Sequence, residues 1–169
     1  MHLENAYGLQ ELERGARLSF PKGVEAEKTE NGICFYWQRT ENFEVKAAVR
    51  QFAKNGFDGG RYEVNVSFTP IDEENGWRVL QVDGEKIPST AVYRFREDGD
   101  FIQRFGGGKK SLKKFFNEEK TPVLERAYLP LIAERDGGEV YVACGVEISE
   151  KVKVTAETEK PLYISIRRK

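Results

Sequence analysis

The chain is poor in the side chains that most often carry metal or nucleophilic chemistry. Its 169 residues include one histidine, His2, and two cysteines, Cys34 and Cys144, far apart and with no CxxC pair. That argues against a structural zinc site, which draws closely spaced Cys and His ligands. The cysteines read as buried thiols in a reducing compartment, a disulfide being the alternative. Long apolar runs are missing too, and the N-terminus lacks a signal-peptide pattern. The expectation is a soluble cytoplasmic protein with no membrane partner. Nor is there net charge to speak of: 27 Lys and Arg against 28 Asp and Glu leave −1. No global field draws the protein to a polyanion, so any such attraction must come from local clustering.

Core-forming residues are plentiful. Apolar residues make up 39% of the chain, with eleven Phe, seven Tyr and two Trp. That is enough for one domain or two small ones.

Charge clusters in one place. Between Ile102 and Phe116 stand five basic side chains, Arg104, Lys109, Lys110, Lys113 and Lys114, and no acidic one. Gly106-Gly107-Gly108 sits in the middle, and Ser111 is placed to cap a helix over Leu112 to Glu119. Leu112, Phe115 and Phe116 form its inner stripe, leaving Lys113, Lys114 and Asn117 outward. Basic residues interleaved with aromatics beside a glycine run suit a surface that meets phosphate. The bland reading of the same lysines is a solvated helix face that keeps the chain soluble. A nucleotide P-loop is rejected, because Lys109 precedes Lys110 where that motif needs glycine. Glu73-Glu74 and Glu97, Asp98 and Asp100 sit beside turn glycines, where local hydrogen bonding accounts for them without a catalytic pair or a metal site. No catalytic residue is assigned. Most aromatics of the region read as core; Phe101 and Phe105, in irregular chain, are the better candidates for exposure.

Along the chain, strands are expected at Arg17–Phe20, Val24–Lys28 and Ile33–Trp37, the last two joined by the Asn31-Gly32 hairpin signal. Glu44 to Lys54 fits helix or strand, with strand favoured for its first half, and Asn55 to Gly60 reads as loop. Arg61 to Phe68 alternates Tyr62, Val64, Val66 and Phe68 on one face, and Trp77 to Val82 makes the next strand. Ala91 to Arg96 is expected to present a basic edge, Arg94 and Arg96, against an aromatic one, Tyr93 and Phe95. Thr121-Pro122 opens a short helix ending near Tyr128. Leu131–Glu134 and Glu139–Ala143 form a hairpin about Asp136-Gly137-Gly138, and Val152–Thr155 and Leu162–Ile166 are the last strands. Seven or more strands and two or three short helices, without regular βαβ alternation, indicate an α+β fold, β-rich and mixed or antiparallel. Residues 1–86 read as a β-rich connecting or substrate-binding segment and residues 87–169 as a second domain.

The segment Leu80 to Ile166 resembles the C-terminal domain of bacterial tRNA(Ile)-lysidine synthase. The residues that carry the resemblance are Val82-Asp83-Gly84-Glu85-Lys86-Ile87, Arg94 to Phe101, Phe105 to Phe116, Arg126, Leu129-Pro130-Leu131 and Val140 to Gly145. Residues 1–79 match loosely, as the segment preceding that domain. The family joins lysine to the wobble cytidine of a minor isoleucine tRNA with a CAU anticodon, using ATP and Mg2+, on an N-terminal PP-loop domain that opens with Ser-Gly-Gly-x-Asp-Ser. No such motif stands here. The resemblance therefore implies a C-terminal fragment of an ATP-dependent ligase, inactive alone and with no cofactor of its own. It would grip tRNA, chiefly at the acceptor stem, for the catalytic PP-loop domain of the same parent chain. It also implies a fold related to a tRNA-binding module of phenylalanyl-tRNA synthetase. The residues expected to meet RNA are Arg94, Arg96, Arg104, Lys109, Lys110, Lys113, Lys114 and Arg126. The alternative is a stand-alone RNA- or protein-binding module of the same fold without catalysis.

Overall fold

The computed structural model describes residues 7–37, 47–48, 57–59, 61–71 and 76–169. Strands dominate, as the alternating patterns require, and the fold is α+β with few helices. Strands β1 (Arg17–Phe20), β2 (Val24–Thr29) and β3 (Gly32–Trp37) form an antiparallel meander in the order β1-β2-β3. The β2–β3 turn is Glu30-Asn31, one residue earlier than the Asn31-Gly32 signal; Gly32, at φ +136, opens β3 opposite Thr29, whose Oγ1 donates to the Gly32 carbonyl at 2.9 Å.

The remaining strands are β4 (Ala47–Ala48), β5 (Phe57–Gly59), β6 (Tyr62–Ser67), β7 (Arg78–Asp83), β8 (Val92–Arg94), β9 (Phe101–Gln103), β10 (Lys109–Ser111), β11 (Leu131–Ala133), β12 (Glu139–Ala143), β13 (Glu147–Ile148) and β14 (Pro161–Arg168). Helices α1 (Leu112–Glu118) and α2 (Val123–Arg126) lie between β10 and β11. The second sheet has the order β10-β9-β12-β11-β8-β4, with β13 also on β12; its β9–β12 pairing is parallel and the others are antiparallel.

The third sheet is β5-β6-β14-β7. The last strand, β14, is an inner strand between β6 and β7, so the pairing crosses the boundary drawn after residue 86. Tyr62, Val64 and Val66 bury one face of β6, as their alternation demands, and Leu162, Ile164 and Ile166 do the same in β14. These residues join the buried side chains of the second sheet and of α1 in one hydrophobic cluster. Gly145 is where the β12–β13 turn meets β14: at φ +73, a Cβ there would stand 2.4 Å from Ile166 Cγ2. Only glycine permits both that backbone and that approach.

Several expectations are corrected. Phe57–Gly59 is a strand paired with β6 rather than loop. Phe68 falls beyond β6 and is exposed. Val152–Thr155 makes no strand; a 3-10 turn over Glu150–Val152 stands there, capped by Ser149, whose Oγ accepts from the Lys151 N–H. The Glu73-Glu74 turn and most of Glu44–Lys54 lie outside the described residues. Both thiols are free, Cys144 buried and Cys34 only half-buried. Among the described residues no helix is long and apolar enough to cross a membrane.

Candidate nucleic-acid interface

The basic window folds into a hairpin and a helix. Strands β9 and β10 pair Lys109 with Gln103 and Lys110 with Ile102, so two of the lysines stand on a strand and not in a loop. The glycine triplet is the hairpin turn. Gln103 Nε2 donates to the Gly107 carbonyl at 2.6 Å. The Glu150 carboxyl is held below its usual range, first by the Lys153 ammonium and further by the Gly106 N–H. Helix α1 follows directly. Ser111 stands at its N-cap without a side-chain hydrogen bond; the Leu112 N–H is taken by the Asp100 carbonyl at 2.8 Å.

Lys113 and Lys114 project from α1, exposed and without a hydrogen bond or ion pair among the described residues. Lys109 is exposed as well, with its ammonium 4.4 Å from the centre of the Phe101 ring. Lys110 and Arg104 are engaged by the far end of α1. Lys110 pairs with Glu118, and Arg104 Nη1 meets Glu119 Oε1 at 2.7 Å while its guanidinium lies 5.3 Å from the Phe115 ring centre. The hydrogen bond from Lys110 is the main cause that holds the Glu118 carboxyl below its ordinary range. Such solvent-facing pairs contribute little stability and exchange readily for another anion. Phe105 is exposed, while Phe115, Phe116 and Tyr93 are fully buried.

Two arginines expected at the surface are not there. Arg94 is buried, and its guanidinium grips Asp100 bidentately at 2.8 and 2.7 Å while donating to the Glu134 and Phe95 carbonyls. Val92, Tyr93 and Arg94 of β8 are all buried, so both faces of the strand are covered and the expected basic edge does not form. Arg126 is buried too, donating to the carbonyls of Thr121 and Phe116 and to Asn117 Oδ1. It ties α2 to the end of α1. Arg96 stays partly exposed, with Nη2 3.7 Å from Asp98 Oδ1.

Arg126 also marks a cluster that local patterns did not reveal. Burial lowers its pKa and Glu27 opposes that, but the positive charges of Arg14, Arg96 and Arg17 add to the lowering. Arg17 lies opposite Glu27 in the β1–β2 register. The buried Glu27 carboxylate accepts the Val123 and Leu124 N–H groups at 2.8 Å each, at the start of α2. Arg14 and Arg17 reach this place only through that docking. No spacing within residues 7–37 points to it.

Residues 92–165 match the TilS substrate C-terminal domain family. Nearly the whole chain aligns with relatives of one kind. The tRNA(Ile)-lysidine synthase of Caldanaerobacter subterraneus subsp. tengcongensis is 32% identical over 168 residues, covering 96% of this chain and 36% of that protein. That of Clostridium acetobutylicum is 29% identical over 176 residues, covering 99% of this chain and 37% of the relative. The chain is homologous to the C-terminal part of tRNA(Ile)-lysidine synthases. A solved TILS C-terminal domain superposes with a TM-score of 0.48 at 21% identity, over 64% of this chain and 85% of that one.

The chain spans a little over a third of the length of these lysidine synthases. The family match begins at β8 and ends within β14, so it contains the hairpin, α1 and α2 but not Arg14 or Arg17. A cleft of about 590 Å³ opens between the β2–β3 turn, the α1–α2 link and β14. Its carboxylates are committed to cations: Glu30 to Lys120, Glu119 to Arg104 and Glu125 to Arg168. Among the described residues no group of three or more His, Cys, Asp or Glu is placed to hold a metal ion.

Proposed function

We propose that this chain is the tRNA-gripping part of a tRNA(Ile)-lysidine synthase. Lys109, Lys113 and Lys114 form the core of the grip, with Lys110 and Arg104 released to it when RNA displaces Glu118 and Glu119. The observation that carries this reading is that Lys109, Lys113 and Lys114 stand exposed on β10 and α1 and make no ion pair among the described residues, Lys114 being only within electrostatic reach of a Glu118 that Lys110 holds. A-form RNA is held through phosphates and 2′-hydroxyls more than through base edges, which suits mobile ammonium groups on a rigid hairpin and helix. Arg94 and Arg126 support that surface from beneath instead of touching RNA. In this reading the substrate is the minor isoleucine tRNA with a CAU anticodon, held chiefly at the acceptor stem. A PP-loop domain of the same enzyme supplies ATP, Mg2+ and the ligation, in the cytoplasm, and this part is inactive alone. A kinship with the tRNA-binding module of phenylalanyl-tRNA synthetase belongs to the same reading.

The test is binding of the purified chain to that tRNA and to an unrelated one across a salt series. The expected result is binding that weakens steeply with salt, and whose slope falls by about three in a K109Q/K113Q/K114Q variant. An unchanged slope in that variant would refute the assigned surface.

A further inference from the structure

The basic window is not the only cationic surface beside α1 and α2. Residues 15–17 are clamped to β2: the Gly15 N–H donates to the Lys28 carbonyl at 2.8 Å, and the Lys28 N–H to the Ala16 carbonyl at 2.9 Å. Arg14 and Arg17 therefore project from a fixed frame. Arg17 shares a sheet face with its cross-strand partner Glu27, whose carboxylate is seated on the first turn of α2. Both arginines are exposed and make no hydrogen bond or ion pair among the described residues. Arg96 has only a loose contact with Asp98, whose side chain is fully solvent-exposed.

The charge balance of this place is one-sided. The positive charges of Arg14, Arg96 and Arg17 all bear on Arg126, against the one carboxylate of Glu27, and Glu30, which feels Arg14 as well, is already paired with Lys120. Both Glu27 oxygens are already occupied by backbone N–H groups. Arg126 directs its hydrogen bonds inward to Thr121, Phe116 and Asn117. A like-charged group with no external anion is held together at an electrostatic cost, which a bound phosphate would offset. Arginine suits that partner, because its planar fork matches phosphate oxygens and is weakly hydrated.

The position relative to the first patch follows from α1. Asn117 Oδ1 accepts from Arg126 Nη1 at 2.6 Å, and Asn117 lies one helical turn beyond Lys113 on the same face. Lys113 is thus one turn of α1 from the side chain that holds Arg126.

We propose that Arg14 and Arg17 form a second phosphate-contacting patch that takes the sugar-phosphate backbone of the same tRNA beyond the lysine patch. This rests on the tRNA-gripping reading above. It extends the grip to residues outside the matched family domain and gives residues 7–37 a direct role in holding substrate.

The test compares the full chain with R14Q/R17Q, R14K/R17K and K109Q/K113Q/K114Q variants, in tRNA binding over a salt series and in thermal melting. R14Q/R17Q is expected to melt no lower than the parent, because both side chains are exposed and their loss removes repulsion on Arg126. It should bind several-fold more weakly, with a salt slope reduced by about two. R14K/R17K should keep the slope, since it keeps the charge. A parental slope and affinity in R14Q/R17Q, beside a loss in the lysine variant, would overturn the second patch and leave the tRNA reading standing. Failure of the parent chain to bind either tRNA at low salt would remove both.

Discussion

Glu27 and Val123, 96 residues apart, are joined by a hydrogen bond of 2.8 Å from the Val123 N–H to Glu27 Oε1, and Oε2 takes the Leu124 N–H in the same way. A carboxylate of β2 thereby satisfies two donors that the short helix α2 cannot satisfy itself. It also favours the helix start electrostatically. Replacing Glu27 by Ala is expected to cost about 1–3 kcal/mol in urea unfolding, because two part-buried N–H groups lose their acceptors. Glu27→Gln should cost less, keeping one acceptor oxygen. Amide exchange at Val123 and Leu124 should accelerate more than at α1; uniform protection in Glu27→Ala would show that the cap is not what holds α2.

Arg94 and Asp100 form the most buried ion pair described, with side chains 3% and 0% exposed. Asp100 also accepts the Glu97 and Gly138 N–H groups at 2.9 and 3.0 Å, so the pair ties the turn after β8 to the β11–β12 hairpin. Removing one member leaves an uncompensated buried charge, and Arg94→Ala is expected to lose about 3–5 kcal/mol of stability. Below its melting temperature the variant should still bind tRNA with the parental salt slope. A slope lowered by one with stability intact would place Arg94 on the RNA instead.

The contrast between Arg94 and Lys113 shows what local sequence could reveal. Lys113 sits opposite the Leu112–Phe115–Phe116 stripe, and helical period alone puts it outside. In β8 the period of two suggested an aromatic and a basic edge. Whether a strand has one wet face depends on what packs over it, and Val92, Tyr93 and Arg94 of β8 are all buried, so both of its faces are covered. The same limit hid the place of β14: its Leu162, Ile164 and Ile166 pattern is plain, but partners some eighty to a hundred residues earlier are a matter of topology. Arg14 and Arg17 were invisible as a site for that reason. Val152–Thr155 failed differently: its short apolar alternation has no paired neighbour, and the Ser149 cap turns the chain into a 3-10 bend.

Buried acids of high pKa set the alkaline limit of the fold. Burial pushes the Cys144 thiol up to about 12 and raises Tyr93 well above its ordinary value. Tyr36 and Tyr62 are raised as well, first by burial and then by the Glu125 carboxylate. Each is charged only after losing its proton, so the unfolded chain releases protons first. Stability is whole below the unfolded thiol pKa of about 8.5 and falls as pH rises toward the folded values. The urea midpoint should therefore drop from about pH 9 upward, by at most about 1.4 kcal/mol per pH unit for each group. Cys144→Ala should delay the onset to about pH 10, where unfolded tyrosine begins to ionise. Phenolate absorbance from the buried rings should rise together with unfolding; a rise in a still-folded chain would show them to be solvated.

Glu118 and Glu119 carry the last prediction. They lie at the end of α1 that faces the hairpin and neutralise Lys110 and Arg104 in the free protein. RNA must compete with these carboxylates for two of its five cations of the window. In an E118Q/E119Q variant the competition disappears while the shape and the exposed positions are kept. The variant should bind tRNA more tightly at low salt, with a log–log slope steeper by up to about two. Melting should change little, since pairs this exposed hold little stability. Were the affinity and slope to stay parental, Lys110 and Arg104 would be facing Glu118 and Glu119 in the complex too, and the RNA contact would be carried by Lys109, Lys113 and Lys114 without them.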